Sequence, residues 1–180
     1  MPSLVDIAEE LGANEGEMSK NVEIGDPAPE FDLPADDGQS LSLARLAGKT
    51  IALYFYPKDD TAGCTAEAIA FNALRGKFAA AGAAIVGVSP DSAASHAKFK
   101  RKHDLELALA ADPTKATLEA YGVWREKSMY GRKYMGVERT TFLIGPDGRV
   151  ARIWRKVKVP GHAEEVLAAA EALRPPFADR

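Results

Sequence analysis

The sequence predicts an α/β protein in which a mixed central sheet carries helices on both faces. Three observations lead there. The nearly continuous apolar runs TIALYFY (50–56), AAIVGVS (83–89) and LALAAD (107–112) read as strands buried on both sides. Each is followed by residues at helical spacing or by helix-start signals. The chain then changes rhythm and closes with a hairpin and one amphipathic helix, adding antiparallel pairing to a parallel core.

The elements follow in order. Leu4, Ile7, Ala8 and Leu11 share one helical face, but GANEGEMSKN (12–21) then dissolves into polar residues and glycine. Residues 1–21 therefore read as a loosely attached extension and residues 22–180 as the folded domain. FDLPADDGQSLSL (31–43) reads as a hairpin turning at Asp37-Gly38. After the strand at 50–56, a helix carries Ile69, Ala70, Ala73, Leu74 and Phe78 on its apolar face and stops at Gly82. The strand at 83–89 leads through Ser89-Pro90-Asp91 into a second helix, SAASHAKFKRKHDL. The strand at 107–112 precedes a helix from Pro113 to about Tyr121. TTFLIGPDGRVARIW (140–154) is two strands around Pro146-Asp147-Gly148, and HAEEVLAAAEAL (162–173) is the last helix.

A chain of 180 residues is long enough for a substantial single core, since about 150 residues already bury roughly 70% of their unfolded surface. Hydrophobic residues at 46% and charged residues at 27% exclude a disordered or fibrous class. The net charge of −3 exerts no general pull on nucleic acid or anionic membrane. Its distribution is uneven: residues 125–158 hold ten Lys and Arg against Glu126, Glu138 and Asp147. Aromatics do not interleave with these bases as in a nucleic-acid groove, so a solvated face is expected. The first residues lack a basic segment followed by an apolar run, and no stretch approaches the ~20 apolar residues of a membrane span. The expected place is the cytoplasm, with neither nucleic acid nor membrane as partner. One cysteine leaves no internal disulfide to form.

That cysteine, Cys64, carries the chemistry. A lone cysteine is usually a small buried hydrophobe. Cys64, however, falls where the strand at 50–56 ends and a helix begins, and unpaired amides and the helix dipole there favour a thiolate. Thr61 precedes it at the spacing from N-cap to third helical residue, so its hydroxyl is placed to reach a backbone N–H or the sulfur. Gly63 lets a ligand come close to the backbone. Pro57 ends the strand and, with Tyr54 and Tyr56, walls the site against water.

FYPKDDTAGCTAEA (55–68) resembles the active-site loop of peroxiredoxins, with its proline, threonine, two residues and cysteine. YGVWREKSMYGRKYMGVERTTFLIGPDGRV (121–150) is similar to the matching downstream segment of the peroxiredoxin Q, or bacterioferritin-comigratory-protein, group. The likeness runs from Val22 to Leu173. It implies a thioredoxin-like fold and a peroxidase that reduces hydrogen peroxide and organic hydroperoxides without metal or organic cofactor. It also implies roles: Cys64 as nucleophile, Thr61 orienting the peroxide, Pro57 shielding the sulfur, and Arg139 supplying a guanidinium that favours the thiolate and holds the peroxide oxygens.

The chain departs from the family in two places. Relatives carry a resolving cysteine five residues after the first, where this chain has Ile69, or in the next helix, which here has none. A one-cysteine cycle follows, with the sulfenic acid reduced by an outside thiol such as thioredoxin, glutaredoxin or glutathione. Ala62 stands where proline is usual, which leaves the loop less pre-organised. Glu67 either positions the loop by hydrogen bonds or complements the helix dipole. His96 and His103 lie seven apart among basic residues and are expected to face solvent rather than a metal. Trp124, Met129, Tyr130, Tyr134 and Met135 suggest a loop packed near the site or a partner surface. Monomer and homodimer are both open. A non-catalytic thioredoxin-like redox sensor is the alternative function, and it separates from the enzyme on turnover.

Overall fold

The computed structural model describes residues 21–173. The helical face expected at 4–11 lies outside the described residues. Asn21 accepts a hydrogen bond from the Arg125 guanidinium, and Val22 is already buried.

Five strands form the central sheet in the order β5-β4-β3-β8-β9: β3 (Thr50–Phe55), β4 (Ala83–Ser89), β5 (Ala108–Ala111), β8 (Thr140–Ile144) and β9 (Val150–Trp154). The β3–β4 and β4–β5 pairs are parallel, and β8 joins β3 and β9 antiparallel, as the change of rhythm along the chain implies. Two small hairpins stand apart: β1 (Asp32–Pro34) with β2 (Ser40–Ser42), and β6 (Trp124–Met129) with β7 (Arg132–Val137).

Alternation along β3 builds the core. Ala52, Tyr54 and Tyr56 point to one face and pack against α1 (Ala62–Ala73), α2 (Arg75–Ala80), α3 (Ala93–His103) and α5 (His162–Ala172). Ile51, Leu53 and Phe55 point to the other, against the short α4 (Ala116–Ala120), Phe31, Tyr121 and Val137. Both faces are covered, but unequally: the long helices share one side.

The chain from Ala62 to Gly82 differs from its expected form. It breaks at Leu74 into two helices, and its buried face is Cys64, Glu67, Ala68 and Phe71, with Phe78 from α2. Ile69 is 48% exposed and Ala73 is also outside. The apolar count in α1 misleads because alanines populate both faces. Phe71, stacked 4.7 Å from Tyr54, sets the true phase.

The segment at 124–137 is a hairpin, not a loop. Tyr130 and Gly131 both take positive φ, 53° and 78°, the two-residue turn that matches strand twist. Met129, Tyr130, Tyr134 and Met135 are exposed, Tyr130 at 97%. At its base Val137 is buried in the core and Trp124 packs against it. Both strands are exposed and basic, so they lack the alternation that marks a half-buried strand.

Among the described residues, no helix is long and apolar enough to cross a membrane.

Candidate active site

The β3 strand delivers the chain to the loop at 57–61, and α1 takes it away. Thr61 is the N-cap of α1, in extended conformation, and its carbonyl accepts the first helical bond from Thr65 N–H at 2.8 Å. Ala62 is therefore the first helical residue, where proline fits without loss of a hydrogen bond. Cys64 is the third. Its sulfur lies in the first turn, as the sequence implies, and the residue is 1% exposed.

Thr61 differs in detail from expectation. Its hydroxyl makes no capping bond; it donates instead to Lys58 O at 2.9 Å, which closes the loop on itself. The residue is exposed, and its oxygen keeps acceptor capacity. Pro57 is half-buried just beyond β3.

Arg139 reaches the site through sheet register. Antiparallel pairing sets Phe55 opposite Thr140, so the residue before Thr140 lies beside the end of β3. Its guanidinium forks: Nη1 donates to Glu67 Oε1 at 2.5 Å, and Nη2 to Cys64 Sγ at 3.5 Å. Gly63 makes room for it, since a Cβ there would sit 3.1 Å from Arg139 Nη2. The glycine thus admits the guanidinium.

Glu67 is the member of this group whose role the sequence leaves open. It is one helical turn after Cys64, and the fork decides for the hydrogen-bonding role. Burial pushes its carboxyl up to about 7, and the Arg139 guanidinium offsets only part of this, because Oε2 has no partner. For Arg139, burial disfavours the charge, but Glu67 and Cys64 together outweigh it and hold the guanidinium above its ordinary value. Tyr54, buried with its hydroxyl unpartnered, is raised by burial first and then by Glu67 and Cys64. His162, which meets Thr141 Oγ1 at 2.8 Å, is lowered to about 4 by burial and is neutral near pH 7.

A carboxyl raised on folding stabilises the native state below its usual 4.5 and loses that contribution as pH climbs through about 7. The stability difference between the wild type and Glu67→Gln should therefore shift against the wild type from pH 4.5 to 8, by on the order of 3 kcal/mol. Urea midpoints of both proteins across that range check this; a constant difference would refute it.

His96 is not solvent-facing. It is 0% exposed, with Nε2 3.0 Å from Ala110 O and Nδ1 2.8 Å from Asp59 Oδ2. Tyr56 donates to Asp59 Oδ1 at 2.6 Å and Ser95 to Asp59 Oδ2 at 2.7 Å. These hydrogen bonds prevail over burial and hold the Asp59 carboxyl below its ordinary range. His103 meets Asp60 Oδ1 at 2.8 Å. The two histidines face different carboxylates, and that explains their seven-residue spacing.

Comparison with known proteins identifies the family. The AhpC/TSA family matches residues 24–153. Peroxiredoxin Bcp of Bacillus subtilis is 49% identical over 146 residues, 81% of this chain and 93% of that protein. Peroxiredoxin Bcp of Xanthomonas campestris is 49% identical over 148 residues, 81% and 92% of the two chains. A solved structure of the Xanthomonas campestris bacterioferritin comigratory protein, described for its alkyl peroxide reduction activity, superposes with a TM-score of 0.79 at 44% identity and covers 86% of this chain and 98% of that one. The fold is accordingly the thioredoxin-like one that the loop at 55–68 implies, and the chain belongs to the AhpC/TSA family, among the peroxiredoxins of the Bcp, or peroxiredoxin Q, group.

Proposed function

We propose that Cys64 is the peroxide-reducing nucleophile of a one-cysteine cycle, with Arg139, Thr61, Gly63 and Pro57 forming its site. As a peroxiredoxin the chain is a thiol-dependent peroxidase. The observation that carries the assignment is the fork of Arg139, one guanidinium joined to the Glu67 carboxylate and the Cys64 sulfur at the start of a helix. Glu67 fixes the orientation of the planar group, so that Nη2 faces the reacting atom.

The Cys64 thiolate attacks the terminal oxygen of a hydroperoxide in line with the O–O bond. The S–O bond forms to that terminal oxygen, which keeps its hydrogen. The O–O bond breaks, and its electron pair leaves on the other oxygen, the one that carries the alkyl group or second hydrogen. That oxygen takes a proton from solvent and departs as water or alcohol, and Cys64 becomes the sulfenic acid. Negative charge moves from sulfur to oxygen during the step, and a guanidinium already in place needs no reorganisation to follow it. The Thr61 oxygen, in the exposed part of the loop, accepts a hydrogen bond from the peroxide O–H, and Pro57 limits water.

A thiol then attacks the sulfenic sulfur, releasing water and leaving a mixed disulfide; a second thiol frees Cys64 and carries away the disulfide. Cys64 is the single cysteine of these 180 residues, so both thiols come from outside. Thioredoxin, glutaredoxin and glutathione are the candidate donors, and a reducing cytoplasm is the proposed place of action. Hydrogen peroxide and alkyl hydroperoxides are the proposed substrates.

With excess peroxide and this donor panel, the protein is expected to consume many equivalents of peroxide per chain. Consumption that halts after one equivalent with every donor would instead make it a redox sensor.

A further inference from the structure

Two features take no direct part in that chemistry: the carboxylates of Asp59 and Asp60, and the face of α3 that holds them. Ser95 and His96 in the first turns of α3 take Asp59, and Lys102 and His103 in its last turn take Asp60, Lys102 Nζ at 2.7 Å. Seven helical residues span about 10 Å, whereas adjacent Cα atoms are only about 3.8 Å apart. The two carboxylates must therefore splay in opposite directions along the helix. Asp60 does this by adopting a left-handed φ of 66°, a conformation that aspartate tolerates better than most residues. The backbone of the pair is tied as well, since Asp59 N–H donates to Asp91 Oδ2 at 2.8 Å, beyond the end of β4.

We propose that α3 is a two-point clamp on Asp59-Asp60, with His96 and His103 as positioning residues that set the entry of the chain into α1. Thr61 follows Asp60 directly, and Cys64 lies three residues further, in the first turn that Thr61 begins. Asp59 also takes the Tyr56 hydroxyl, so the clamp joins the end of β3, the loop and α3 into one unit. Placing the sulfur against Arg139 depends on where that turn starts, and small misplacements of reacting groups are costly. The proposal rests on Cys64 being the nucleophile.

The buried Asp59–His96 pair is a poor place to test this, because breaking it risks the fold. Asp60 and His103 are partly exposed, and such pairs add little to global stability. Asp60→Ala, which releases Lys102 and His103 together, should keep a melting midpoint close to the wild type's. It should slow sulfenic acid formation, read by rapid quench and mass spectrometry, roughly tenfold. Amide hydrogen exchange at residues 59–65 should quicken in the same variant. His103→Leu should show a smaller loss that is absent in the double variant's excess over Asp60→Ala, and His103→Gln, which keeps a donor, should recover the rate. Exchange at 59–65 unchanged in Asp60→Ala, or effects of the two substitutions that multiply, would overturn the clamp. A wild type whose Cys64 never oxidises would defeat the peroxidase reading instead, and the exchange measurement would still decide the clamp.

Discussion

Cys64→Ser is expected to abolish peroxide consumption while leaving the fold intact. Sulfur is the only atom in the described site able to accept an oxygen and give it up again to a thiol. A serine hydroxyl has no corresponding oxidation state, and at neutral pH it is not ionised, so neither half of the cycle survives. The substitution is close to isosteric at a position 1% exposed, and Arg139 keeps Glu67 as its partner, so the guanidinium stays paired. Unfolding midpoints of the two proteins should therefore be similar, which separates lost chemistry from lost structure. The check is peroxide decay under excess thiol, with mass spectrometry for a trapped sulfenic acid. A serine variant that turns over at the wild-type rate would remove the mechanism.

Arg139→Met is expected to slow the oxidation step by about 10²–10³-fold, the usual consequence of deleting one fixed donor to developing charge. Methionine fills much of the same volume but offers neither charge nor N–H. The same change strands Glu67, 1% exposed and already without a partner at Oε2. Breaking a buried pair from one side typically costs about 3–5 kcal/mol. Because the Glu67 carboxyl lies near 7, protonation offsets part of that loss, more so at acidic pH. The two effects separate in the double variant. Adding Glu67→Gln to Arg139→Met should restore stability by removing the unpaired acid, yet leave oxidation slow. Rapid-mixing rates and urea midpoints on the four proteins of the cycle give both quantities. If Glu67→Gln rescued the rate as well, Arg139 would be acting on the fold alone.

The elements that were legible in advance are those whose pattern is local. The runs at 50–56, 83–89 and 107–112 became β3, β4 and β5 nearly residue for residue, because strands buried on both faces are continuous in apolar residues. The turns at Asp37-Gly38 and Pro146-Asp147-Gly148 came from residues whose own side chains or positive φ define a turn. What failed had ambiguous local signals. In α1 the alanines blur the helical face, and the apolar count alone does not show that Ile69 points outward and Phe71 inward. In β6 and β7 the exposed, basic strands carry no apolar period, and the turn begins with Tyr130 instead of the usual Asn or Asp. The pattern of α3 does not reveal His96 as buried, because charged neighbours on the helix face water while it does not; burial of a polar side chain depends on partners from other elements, here Asp59 and Ala110.

Sequence by itself determined the order and type of the buried elements and the place of Cys64 at the start of a helix, since hydrophobic period, capping position and turn residues act over a few neighbours. Tertiary structure decided which of ten basic residues between 125 and 158 meets the sulfur. Arg139 is 75 positions from Cys64 in the chain, and only the antiparallel register of β8 on β3 brings it there. It likewise decided that Glu67 is a buried partner and that α3 grips the loop through two histidines. Charge pairing at that range depends on which backbones pack together, and a linear pattern does not carry that information.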